Sequence, residues 1–291
     1  MVDLNTAMQA ARAETRRKQR EKDGRKKRPG RDLGIENFDP RDQLEKEKAD
    51  ALSMWLVILF GLTLSIIMRY LIMPGMEGPK SVLWFLPMIL VVALPSLHRA
   101  IIPEPFKSRY TFGNWFRASF LYIFTWLALS FILVNPPLGD IGAPDIAGKM
   151  TVVIVEDGNV SIDGENLTNS GDSFILNRNG SNGDAWIIFS VSDNSNPDLA
   201  TLVVTSHYYA PNQSDVIHYN QTVKENDGCS GIWGGLRESQ QNAINTHEFD
   251  KCVAINLGSL NEGEYDITIT LTENGNPWIN SRIHEYNLNV V

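Results

Sequence analysis

The residues best suited to chemistry lie in the second half of this 291-residue chain. Its only two cysteines are Cys229 and Cys252. In an oxidising compartment such a pair forms a disulfide, here closing the loop CSGIWGGLRESQQNAINTHEFDKC. Two buried free thiols are the alternative. A zinc site completed by His247 would lack the close C-x-x-C or H-x-x-x-H pairing of zinc modules. His207, His218, His247 and His284 fall in separate segments, and His207 meets His218 only if their strands pair. The segment DNSNPD, residues 193–198, is dense in oxygen ligands. It lacks the spacing, glycine and distal Glu of an EF-hand loop, so a turn is expected. No G-x-S-x-G, H-E-x-x-H or phosphate-binding glycine loop occurs. The expectation is therefore no catalytic residues, no metal and no cofactor: not an enzyme.

Two further features concern recognition. Trp233 stands among glycines in GIWGG. A tryptophan there either contacts a protein or glycan partner or plugs a core. Five N-x-S/T sequons begin at Asn159, Asn166, Asn179, Asn212 and Asn220, possible glycosylation sites in a host with the machinery.

Charge decides where these residues sit. Residues 1–50 hold 14 Lys/Arg and 11 Asp/Glu. Residues 51–137 hold 6 and 2, and residues 138–291 hold 6 and 21. The overall net charge of -8 thus hides a basic tail, a nearly uncharged middle and an acidic end of net -15.

The middle zone contains three apolar runs, about 51–73, 81–97 and 116–134. Eighteen uncharged residues, 51–68, nearly span a ~30 Å hydrocarbon core at ~1.5 Å per helical residue. Arg69 follows and would snorkel to water at a membrane face. Pro87 and Pro95 should kink the second helix. Asn135-Pro136-Pro137 ends the third. Gly61 and Ser65 form a small-xxx-small spacing of the kind that joins helices. No acidic or histidine side chain occupies the centre of any run, which disfavours a proton or ion pathway. Basic residues flank the first helix on its N-terminal side and fill the loop between helices two and three, as Arg99, Lys107, Arg109 and Arg117. The positive-inside rule then puts the N-terminus in the cytoplasm and the C-terminal zone outside. Tyr110, Trp115 and Phe116 suit an interfacial aromatic belt at the inner end of helix three.

The tail, residues 1–50, is read as partly disordered or helical. Residues 12–31 carry eleven Lys/Arg and three acids, a charge that suits anionic lipid headgroups. With no aromatic before Phe38 there is no stacking platform for bases, so nucleic acid is not the expected partner.

After a Pro/Gly spacer at 138–150, residues 151–291 change to strand-like runs. EYDITITLTEN and RIHEYNLNVV alternate with period two, giving one buried and one wet face. MTVVIVE is followed by Asp157-Gly158, a hairpin turn signal. Eight or nine short strands separated by Asn/Gly/Asp turns indicate a β-sandwich.

Within LNEGEYDITITL, the residues Leu260, Gly263 and Tyr265 form an L-x-x-G-x-Y pattern. It resembles the turn and strand of immunoglobulin-like extracellular sandwich domains. The resemblance implies a structural tyrosine corner, with the hydroxyl tying a loop to its own strand. Ile267 stands where an antibody-type domain carries cysteine.

The expected fold class is α+β overall: three transmembrane α-helices followed by an all-β, immunoglobulin-like sandwich outside the cytoplasm. The expected protein is a multi-pass cell-membrane protein, non-enzymatic, presenting an acidic sandwich for adhesion, surface-layer contact or complex assembly. Its partners would be membrane lipids and an envelope protein or glycan, with oligomers allowed. A signalling, secretion or assembly subunit is the second expectation, and a cell-surface hydrolase the third.

Overall fold

The computed structural model describes residues 8, 12–16, 39–161, 167–178, 180–244 and 247–291. Residues 8 and 12–16 of the tail are helical. The rest of the basic segment lies outside the described residues.

Helix α1 (Pro40–Ile67) continues through a π turn (Met68–Ile72) and a 3₁₀ turn (Met73–Gly75). It starts well before the apolar run because its N-terminus is well made. Pro40 occupies the first turn, where an N–H has no helical partner anyway. The Asp39 carboxylate accepts from the Arg41 amide at 2.9 Å. Arg109 then ties the loop after the second segment to α1 by pairing with Asp42 and Glu45.

The second segment is α2 (Val82–Leu90), a 3₁₀ turn (Val91–Ala93) and α3 (Leu94–Ile101). Pro87 lies inside α2 and Pro95 opens α3. At the 3₁₀ turn the Val91 amide bonds to Met88, which frees the Pro87 carbonyl. That carbonyl accepts from the buried Tyr122 hydroxyl at 2.8 Å, so the break in the ladder is satisfied by a neighbouring helix. Tyr122 belongs to α4 (Phe112–Val134), which a Thr111–Asn114 capping box opens.

All three segments, Pro40–Gly75, Val82–Ile101 and Phe112–Val134, are long and apolar enough to cross a membrane. Val57, Leu64, Met68, Leu94, Ala118 and Tyr122 form their shared core. The small residues are used inside the chain. A Cβ on Gly61 would sit 3.3 Å from the Thr125 methyl of α4, and the Ser65 hydroxyl donates to the Gly61 carbonyl. Buried His98 is fully engaged: its Nδ1–H donates to the Leu94 carbonyl at 2.7 Å, so Nε2 accepts from the Ser53 hydroxyl at 2.8 Å.

Ten strands follow among the described residues: β1 (Asp145–Glu156), β2 (Asn159–Ser161), β3 (Leu167–Ser170), β4 (Ser173–Leu176), β5 (Asp184–Ser192), β6 (Thr201–Tyr208), β7 (Val216–Thr222), β8 (Lys251–Gly258), β9 (Gly263–Glu273) and β10 (Asn280–Val290). They form two sheets, ordered β2-β1-β5-β8 and β3-β4-β10-β9-β6-β7. The pairing is antiparallel except for β4 with β10. Asp157 (φ 52°) and Gly158 (φ 78°) take the left-handed conformations that a tight hairpin needs. One core lies between the sheets, with Val152, Ile187 and Phe189 facing Leu202, Ile267, Ile269 and Leu288. The alternation along β9 is complete: Tyr265, Ile267, Ile269 and Leu271 are buried while Asp266, Thr268, Thr270 and Thr272 are partly exposed. The chain is therefore α+β, with three membrane-length helices followed by a two-sheet all-β domain.

The smaller sheet is buried on its other face too. Short helices α5 (Ser230–Trp233) and α6 (Glu238–Ile244) lie in the loop between the cysteines. Their Ile232 and Ile244, with Leu236 between them, pack on Val153, Ile188 and Ala254. This layer explains why MTVVIVE and AWIIFSV are continuous apolar runs rather than alternating ones.

Candidate functional site

The seam between helices and β domain is organised by Arg69. Expected to reach water, it turns inward instead and is only 3% exposed. Its Nε donates to the Leu133 carbonyl at 2.9 Å, and Nη2 donates to those of Leu138 and Asn276, both at 3.2 Å. The physical reason is the unsatisfied C-terminal carbonyls of α4, which attract a cation. One side chain of the π turn that continues α1 thus bridges the end of α4, the spacer after it and the β9–β10 loop. Beside it, Asp140 and Asn276 exchange backbone bonds at 2.9 and 2.8 Å.

Three carboxylates gather next to this bridge. Asp140, Asp193 and Glu273 each offer an oxygen within 4.8 Å of the others. That spacing satisfies the distance condition for a shared cation. The Asn280 amide already occupies Glu273 Oε1 at 2.9 Å, and it also donates to the Asp140 and Gly142 carbonyls. Burial pushes the Glu273 carboxyl up to about 7, aided by the Asp193 and Asp140 charges and by bonding to Asp193, and opposed by Asn280. Burial and the Asp193 charge also raise Asp140. Protonation of Glu273 relieves the repulsion of three carboxyls held this close together. Asp193 otherwise caps its own turn, accepting from the Ser195 and Asn196 amides at 3.0 and 2.8 Å. The expected turn at 193–198 therefore forms.

A raised carboxyl pKa favours folding when the group is protonated. The stabilisation is complete below the ordinary value near 4.5 and is lost as pH rises towards 7. Denaturation of the full chain in detergent should therefore show a loss on the order of 2 kcal/mol between pH 5 and pH 8, after discounting for the half-buried neighbours. Glu273→Gln should flatten that slope, and an equally steep slope in the variant would refute the assignment.

The L-x-x-G-x-Y residues converge. The Tyr265 hydroxyl accepts from the Asn261 amide at 3.0 Å and donates to the Asn261 carbonyl at 3.2 Å. Leu260 is buried beneath it. Gly263 adopts φ 135°, and a Cβ there would lie 2.7 Å from the Tyr208 ring, which stacks on Tyr265 at 4.6 Å. Tyr265→Phe should cost about 1–2 kcal/mol in a denaturant titration.

Cys229 and Cys252 are bonded to each other, with Cα atoms 5.6 Å apart. Trp233 is half-buried against the cluster that covers the smaller sheet. Of the sequon asparagines, Asn159, Asn212 and Asn220 are exposed, and Asn166 and Asn179 lie outside the described residues.

The histidines find separate partners. His207 Nδ1 lies 2.7 Å from Asp215, and His218 Nε2 lies 2.7 Å from the Ser206 hydroxyl. A bulge between β6 and β7 turns His218 inward, a register feature with no local sequence signal. Burial lowers the His218 pKa. Ser206 is only 3% exposed, so this Ser–His contact is closed to a substrate. His284 meets Asp145 at 3.1 Å, beside Arg282, which pairs with the same carboxylate.

These features define a class: a two-sheet β domain held by a buried arginine against three membrane-length helices. No protein-family model matches the chain, and a search of curated proteins found no match.

Proposed function

We propose that the chain is a multi-pass membrane protein whose three helices anchor an acidic, immunoglobulin-like sandwich outside the cytoplasm. The domain serves adhesion, surface-layer contact or complex assembly, and does no chemistry of its own. The observation that carries this reading is the joining of three membrane-length helices to a C-terminal zone, residues 138–291, of net charge -15. The Tyr265 tie supports the immunoglobulin-like assignment. The basic residues flanking α1 and filling the loop before α4 support a cytoplasmic N-terminus. The Arg69 bridge supports presentation, because a domain fixed to its anchor holds its surface at a set height. Protease added to intact cells should cleave within residues 138–291, at exposed loops, without permeabilisation. Cleavage seen only after permeabilisation overturns the orientation.

A further inference from the structure

The seam holds a pocket of about 580 Å³ that is open on one side, where its walls Trp84 and Phe131 are 62% and 69% exposed. Its walls include Met68 of the π turn after α1, Trp84 of α2, Ala128 and Phe131 of α4, and Trp278 from the β9–β10 loop. Arg69 is its one charged lining residue among those described. Three of the five guanidinium N–H groups are used, all on neutral carbonyls. Nη1 has no acceptor, and no carboxylate pairs with Arg69, among the described residues. Carbonyl dipoles and the Tyr70 ring, whose centroid lies 5.3 Å from the guanidinium carbon, compensate a full charge only in part, and a buried charge without a counter-ion is costly. Apolar walls around one under-compensated cation match an amphiphile with an anionic head and a hydrocarbon tail.

We propose that this cavity holds one anionic phospholipid of the surrounding bilayer, with an acyl chain among Trp84, Phe131 and Trp278 and the headgroup phosphate at Arg69 Nη1. The proposal rests on the helices spanning a membrane. The lipid would complete the electrostatics of the bridge, so that the β domain is docked firmly only on an anionic membrane.

The test uses the full chain reconstituted in phosphatidylcholine bilayers with or without phosphatidylglycerol. Native mass spectrometry follows extraction in high salt, which screens contacts between the basic tail and headgroups. One phosphatidylglycerol should be retained per chain, favoured over phosphatidylcholine by about fivefold, the ratio given by ~1 kcal/mol per cation. Ala128→Trp, which fills the cavity and leaves the bridge alone, should abolish retention while the chain still inserts. Arg69→Gln should retain lipid without headgroup preference. Equal retention of both lipids by the unaltered chain overturns the proposal. So does retention that survives Ala128→Trp, or a dimer whose second copy fills the cavity. Insertion without retained lipid removes this site alone, whereas failure to insert removes the membrane reading as well.

Discussion

Arg69→Met should uncouple the β domain from its helices while both remain folded. Methionine keeps much of the length and apolar stem of arginine but none of its donors. The carbonyls of Leu133, Leu138 and Asn276 then lose their partner together. Stranding buried acceptors of a charged donor costs about 3–5 kcal/mol in total. Among the described residues the seam has few other polar contacts to hold it. Its other polar contacts are the Asp140–Asn276 bridge and the Asn280 amide, both of which belong to the spacer and the β domain rather than to α1. Hydrogen exchange at the Asp140 and Asn276 amides should speed up sharply, and protease should cut within residues 135–144. Arg69→Lys keeps the charge but cannot reach three acceptors in a fixed fork, so it should rescue only partly. Exchange at these amides unchanged from the parent would refute the bridge.

Breaking the Cys229–Cys252 bond should cost about 3–4 kcal/mol, from the loop entropy of a 23-residue separation. The effect is larger than for a tether on an idle loop. This loop carries α5 and α6, which keep water from Val153, Ile188 and Ala254. At 2–4 °C per kcal/mol, a double Cys229→Ala and Cys252→Ala variant should unfold about 10 °C lower in differential scanning calorimetry. The free loop should also expose Trp233, seen as a red shift of its emission before global unfolding. A transition at the parent temperature, with both thiols absent, would show that packing alone holds the layer.

Much of the architecture was legible because it depends on near neighbours. Three uncharged runs specify helices long enough to span a membrane, since their length and apolarity are local properties. Tyr265 to Thr272 specify a half-buried strand by strict alternation. The continuous runs of β1 and β5 carried a further signal. Two buried faces require two covers, and the second proved to be the disulfide-linked α5–α6 layer. Trp233 could not be divided between partner contact and core from GIWGG, because that depends on what lies beneath it.

The sequence by itself determined which segments are apolar helices, which are strands, where the hairpin at Asp157-Gly158 turns and which cysteines are available to pair. Only the tertiary structure decided what Arg69 does. Its helix position allows a path to water, and the unpaired carbonyl ends of α4 and the β9–β10 loop drew it inward instead. The same holds for Asp140, Asp193 and Glu273, which come from three separate elements and meet through sheet register and a bridge to Asn276. Periodicity is set within a few residues of chain, whereas the environment of a charge is set by whichever distant segments the packing brings beside it.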